Sequence, residues 1–201
     1  MEITTMKCCI LFASPRKQGN TAALLDPFCD EMKALGWEIE TLDLFSMKLE
    51  PCLACRACQR DQSVFGCPQP DDMQRVFDAV LNCDLIIFAT PIYSWYCTQP
   101  MKAVMDRLVY GMNKYYGDVM GPALWEGKTA ALITTCGYKP EKGADLFVEG
   151  LRRYCKHSKL KYFGMLAERH LGYNIPFMDE NKEQNARRFA QNITEFMSNE
   201  Q

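Results

Sequence analysis

Four cysteines set close together, Cys52, Cys55, Cys58 and Cys67, carry the most reactive chemistry in this chain of 201 residues. Their pattern, C-x2-C-x2-C-x8-C, lets one turning loop aim several thiolates inward. Thiolates so placed can surround a [4Fe–4S] cluster or a zinc ion. Free or redox-active thiols satisfy the same spacing. The other cysteines sit in different surroundings. Cys8, Cys9 and Cys83 fall in or beside apolar runs, where cysteine packs as a small hydrophobe, while Cys97 and Cys136 belong to two strand-end loops. His157 and His170 each lack a second ligand at metal spacing and read as core or surface histidines.

Three loops offer a different chemistry. Ser14 to Thr21 brings Ser14, Arg16, Asn20 and Thr21 together, with Gly19 giving the backbone room to turn. Hydroxyls, an amide, a guanidinium and free N–H groups at a helix start make an anion site, although an ordinary polar turn capping a helix reads the same way. The loop matches neither GxxxxGK[ST] nor GxGxxG, so a terminal monophosphate suits it better than a nucleoside triphosphate. Thr90 to Pro100 contains Pro91, Ile92, Tyr93, Ser94, Trp95 and Tyr96, and its three aromatics suit a large planar ring or, equally, a core contact or dimer interface. Thr135, Cys136, Gly137 and Tyr138 add a close-approach glycine and a fourth aromatic.

Positioning these loops requires alternating strands and helices. Lys7 to Ala13, Leu85 to Ala89 and Thr129 to Thr135 are continuous apolar runs of buried-strand type, Trp37 to Leu44 alternates, and Tyr162 to Ala167 predicts a last strand. Helical stripes run through Leu24 to Leu35 (capped by Asn20), Met73 to Leu81 (capped by Asp71 or Asp72), Met101 to Val109, Ala144 to Tyr154 and Ala186 to Phe196. Pro27 interrupts the first and should kink it or shift its boundary. Five strands alternating with five helices predict an α/β fold: a doubly wound five-stranded parallel sheet, order 2-1-3-4-5, helices on both faces, the flavodoxin-like arrangement. Residues 1–201 read as a single domain with a Cys-rich insertion over 51–70. In such a sheet ligands bind beyond the carboxyl ends of the strands, where all three loops fall. A net charge of −2 without a basic block argues against nucleic acid or an anionic membrane as partner. Met1 to Phe12 is too short and too soon polar for a signal peptide, so a cytoplasmic protein is expected.

Ser14-Pro15-Arg16-Lys17-Gln18-Gly19-Asn20-Thr21 resembles the S-x-R-x-x-G-N-T phosphate loop of the NADPH-dependent FMN reductase family. Thr90-Pro91-Ile92-Tyr93, followed by Lys102, Asp106 and Arg107, is similar to that family's T-P-x-Y…K…D-R segment. Pro51 and the four cysteines, then Asp71-Asp72-Met73, resemble a subgroup that includes iron–sulfur flavoproteins. The resemblance covers roughly residues 7 to 140. It implies that Ser14, Arg16, Gly19, Asn20 and Thr21 hold the phosphate of FMN. Pro91, Ile92, Tyr93, Ser94 and Trp95 would line the isoalloxazine, and Thr135, Cys136, Gly137 and Tyr138 would close its other side. It also implies an NAD(P)H oxidoreductase passing electrons through FMN to a quinone, free flavin, nitro or azo aromatic, or other small-molecule acceptor. The alternative is an electron-transfer flavoprotein, flavodoxin-like or iron–sulfur, serving a protein partner. Family members commonly pair, so a homodimer or higher homo-oligomer is expected. No catalytic residue is assigned, because hydride passage from nicotinamide to flavin needs no acid–base side chain.

Overall fold

The computed structural model describes residues 5–64, 66–172 and 174–199. Five strands, β1 (Lys7–Phe12), β2 (Glu38–Asp43), β3 (Leu85–Pro91), β4 (Thr129–Cys136) and β5 (Lys161–Arg169), form one sheet in the order β2-β1-β3-β4-β5. Every neighbouring pair is parallel. The expected α/β architecture and strand order are therefore those of the protein. β1, β3 and β4 are apolar runs because helices cover both of their faces.

The helices are α1 (Asn20–Ala34), α2 (Met73–Asn82), α3 (Gln99–Met112), the single turn α4 (Pro140–Gly143), α5 (Asp145–His157) and α6 (Glu180–Ser198). Alternation along β1 sends Cys9 and Leu11 into a core shared with α2, α3 and α5, and Cys8, Ile10 and Phe12 into a second core under α1 and α6. Both thiols pack as small apolar groups, and burial pushes that of Cys8 well up. Phe88, fully buried in the first core, stands edge-on to Tyr154; truncating such a ring costs about 3–5 kcal/mol.

Two local expectations are corrected, both in α1. The N-cap of α1 is Gly19, and Asn20 is its first helical residue. α1 also runs through Pro27 without a shift of boundary, the ring being buried on the core face where its packing offsets the lost backbone bond. Asp72 is the N-cap of α2 but makes no side-chain cap, because its carboxylate accepts from the Lys48 N–H instead; Asp71 receives the Met73 N–H.

β2 ends at Asp43 and α2 begins at Met73. That connection is far longer than the roughly 2–6 residues usual between strand and helix in such folds. It contains the Cys-rich stretch and one short 3-10 turn, Ala57–Gln59.

Candidate functional site

Beyond the carboxyl ends of β1, β3 and β4 the three loops meet in one cleft. A space of about 230 Å³ lined by Arg16, Asn20, Pro91, Ile92, Thr135 and Gly137 continues into one of about 540 Å³ beside Tyr93, Ser94, Trp95 and Tyr138. Hydroxyl ties hold its floor. Thr21 and Thr135 share a hydrogen bond of 2.9 Å between α1 and β4. The Thr98 hydroxyl donates to the Ala13 carbonyl at 2.8 Å, and the Thr98 N–H donates to the Thr90 hydroxyl at 3.2 Å. The Ile92 N–H donates to the Thr135 carbonyl at 2.9 Å.

One end of the cleft is polar. Gly19 has no side chain with which to cap α1, so the first-turn N–H groups of Asn20, Thr21 and Ala22 are left for an outside acceptor. A Cβ on Gly19 would stand 2.8 Å from the Arg16 Cβ, so the loop closes this tightly only around glycine. The Ser14 hydroxyl is turned into the loop, where it accepts from the Arg16 N–H and donates to the Arg16 carbonyl. Ser14, Gly19 and Thr21 thus shape the loop from behind, while Arg16 and Asn20 face the cleft.

The other end is aromatic. Tyr93 and Tyr96 exchange backbone hydrogen bonds of 2.8 and 3.0 Å across a tight turn, and Ser94 and Trp95 at its tip both have positive φ, 50° and 66°. Bulky residues rarely adopt that conformation, which costs about 1–2 kcal/mol per residue. The turn aims the Trp95 indole at Tyr138, with ring planes 11° apart and centroids 6.0 Å apart. The indole N–H donates to the Lys142 carbonyl at 3.0 Å. Cys136 lines the same wall, but its thiol donates to the Tyr138 carbonyl and is pushed up by burial.

His170, read as an isolated histidine, lines both parts of the cleft. Its backbone N–H donates to the Cys136 carbonyl, and its Nε2 lies 3.4 Å from the position a Cβ on Gly137 would take. A signal was present: His170 follows β5, whose carboxyl end opens on the same edge as the other loops. Of the D-R segment, Lys102 and Asp106 form an exposed pair one helical turn apart at 2.6 Å, whereas Arg107 turns inward, away from the cleft.

A second site lies against α2 and α3. Cys52, Cys55, Cys58 and Cys67 all line one pocket, with Phe77, Arg107, Tyr110 and Gly111 as its wall. Left-handed φ values at Ala54 (52°) and Arg56 (58°) curl the loop around it. The Ala54 N–H donates to the Cys52 sulfur at 3.5 Å; burial is the main cause that raises the Cys58 thiol. Among the described residues, no three His, Cys, Asp or Glu side chains converge on a point as the ligands of one ion must. The loop is pinned by Gln59, whose amide donates to the Tyr110 and Asn113 carbonyls and accepts from the Tyr116 N–H. It is also pinned by Asp71, buried and held below the ordinary carboxylate range: burial opposes this, but hydrogen bonds from Arg107, Glu50 and Met73 outweigh it.

A doubly wound sheet with an uncapped helix start and an aromatic wall at its carboxyl edge defines a flavodoxin-like cofactor-binding protein. The chain belongs to the NADPH-dependent FMN reductase family, whose model matches residues 6–159. It is 33% identical over 121 residues to an iron–sulfur flavoprotein of Archaeoglobus fulgidus, covering 57% of this chain and 54% of that one. It is 32% identical over 124 residues to an iron–sulfur flavoprotein of Methanosarcina thermophila, covering 61% and 63%. The match therefore spans between about half and two thirds of these relatives. The NAD(P)H:quinone oxidoreductase from Methanothermobacter marburgensis superposes with a TM-score of 0.65 at 23% identity, over 94% of this chain and 98% of that one, which establishes the shared fold.

Proposed function

We propose that the protein is an FMN-dependent oxidoreductase that takes electrons from NADPH or NADH and delivers them to a small planar acceptor: a quinone, free flavin, or a nitro or azo aromatic. The observation that carries this reading is one continuous cleft with an uncapped helix start at one end and an aromatic wall at the other. The residues suit FMN in size and chemistry. The α1 N–H groups, Arg16 and Asn20 suit its terminal phosphate, supported from behind by Ser14, Gly19 and Thr21. Pro91, Ile92, Tyr93 and Ser94 would flank one side of the ring system and Thr135, Cys136 and Gly137 the other. FMN, when bound, supplies the hydride-accepting and electron-donating chemistry. The chain's own groups anchor it, orient it, and screen it from water with Trp95 and Tyr138 at the mouth. No helix among the described residues is long and apolar enough to cross a membrane, and no disulfide joins the described cysteines; a cytoplasmic location is part of this reading. Tyr93, Trp95, Tyr96 and Tyr138 are exposed around the mouth, a surface suited to pairing with a second copy.

Visible spectra of protein purified without oxygen, recorded before and after NADPH, test the reading. Two flavin bands that bleach support it; a colourless protein that cannot be reconstituted with FMN sinks it.

A second reading, an iron–sulfur flavoprotein that delivers electrons to a protein partner, is favoured by the cysteine pocket. Its four thiols line one pocket, and four cysteine sulfurs are the donor set that a [4Fe–4S] cluster takes. A buried donor on the pocket wall, Arg107 Nε, has no acceptor. Cys52, Cys55, Cys58 and Cys67 would hold the cluster, which supplies one-electron transfer. A protein that holds FMN but fails to oxidise NADPH or NADH would decide for the carrier.

A further inference from the structure

Lys114 is fully buried. Its ammonium donates to the Cys58 carbonyl at 2.6 Å, and no carboxylate among the described residues lies within ion-pair distance of it. Asp61, the acid whose field reaches it, is exposed and directs one carboxylate oxygen at the Ser63 N–H and hydroxyl. A lysine is almost never fully buried unless it is paired. Arg107, on the wall of the cysteine pocket, is also buried. Its terminal nitrogens go to Asp71 and, at 3.2 Å, to the Glu50 carbonyl, while Nε has no partner. The Cys67 sulfur lies in the field of the guanidinium. Two buried cations thus face one buried carboxylate, and each is tied to the cysteine pocket: Lys114 through the Cys58 carbonyl, Arg107 as a lining residue in reach of Cys67.

From this juxtaposition we infer that Lys114 and Arg107 are the counter-charges of an anionic thiolate centre formed by Cys52, Cys55, Cys58 and Cys67, with Lys114 setting its reduction potential. The inference rests on the iron–sulfur reading above. A [4Fe–4S] core held by four thiolates is a dianion, and it becomes more negative on reduction. A buried ammonium beside Cys58 stabilises both states, the reduced one more. Lys114 and Arg107 are positioning residues: neither supplies a ligand atom.

The test is anaerobic reconstitution of the full chain with ferrous iron and sulfide, comparing wild type, Lys114→Met and Lys114→Arg. Iron content, the rate of iron loss to a chelator and the midpoint potential are the readouts, with bound FMN as the check on folding. Lys114→Met should lose iron about 10-fold faster and titrate at a more negative potential, and Lys114→Arg should recover both. If the methionine variant fails to fold, Lys114→Gln, which keeps a donor toward the Cys58 carbonyl without the charge, decides the case. Wild type that holds the cluster while the neutral variants match its loss rate and potential overturns the inference alone. Wild type that takes up no iron overturns the iron–sulfur reading, and the inference with it.

Discussion

The sheet-edge cleft and the cysteine pocket are held together by opposite means. The cleft is built from short loops at strand ends, tied by neutral hydroxyl and backbone hydrogen bonds such as Thr21–Thr135 and Thr98–Ala13. The pocket is built by one long connection, fastened to α3 and the segment after it by the neutral Gln59 amide and, unlike the cleft, by buried charge as well: Arg107 on Asp71 and Lys114 on Cys58. Neutral ties inside regular elements cost little to make and are insensitive to pH. Buried ion pairs must overcome desolvation, so losing one partner is expensive. The cleft should therefore tolerate changes of charge state that loosen the pocket.

The largest expected effect attacks the pocket. Asp71→Asn leaves the Arg107 guanidinium buried without its anion and should cost about 3–5 kcal/mol of stability. For a chain of this size that lowers Tm by roughly 6–20 °C, as calorimetry would show; an unchanged Tm would break the contrast. Next comes an attack on the cleft alone. Asn20→Asp puts a carboxylate at the uncapped start of α1, where like-charge repulsion worth several kcal/mol should weaken FMN binding about 100-fold. Flavin fluorescence titration would measure it, with iron uptake unaltered. A smaller effect appears in acid. The Asp71 carboxyl has its folded pKa lowered, so its stabilisation is present above the unfolded value and disappears as pH falls through the folded one. Urea midpoints of wild type should drop in that acid window, and Asp71→Asn should lack this component. Smallest is Ser94→Gly, which relieves a left-handed serine and should change stability by no more than about 1 kcal/mol, in the favourable direction.

The same contrast explains what was legible beforehand. β1, β3 and β4 announced themselves because burial on both faces makes a strand apolar at every position; right-handed crossovers make the sheet doubly wound, and 2-1-3-4-5 is a common order for five strands. The cleft loops were legible because strand-end position and turn chemistry are local. Where local rules competed, detail was lost: Asn20 looked like the cap, yet Gly19 takes that place and leaves the amides open. His170 was overlooked because no second ligand lies near it in sequence; it joins the cleft through the end of β5. The fastening of the pocket was hidden for a similar reason. Arg107 meets Asp71 across 36 positions, and Lys114 meets Cys58 across 56. No periodicity reports on partners so far apart.

The long passage between β2 and α2 bears on inheritance. Closing a loop costs only about 0.6 kcal/mol more for each doubling of its length, so a lineage can shorten this passage without rebuilding the sheet. Lys114 would lose with it the Cys58 carbonyl that its ammonium donates to. Positions 52, 55, 58, 67 and 114 should therefore be kept or discarded as a set. Sequences of the same family that lack the four cysteines should carry an uncharged residue where this chain has Lys114, and retention of lysine there would contradict that account.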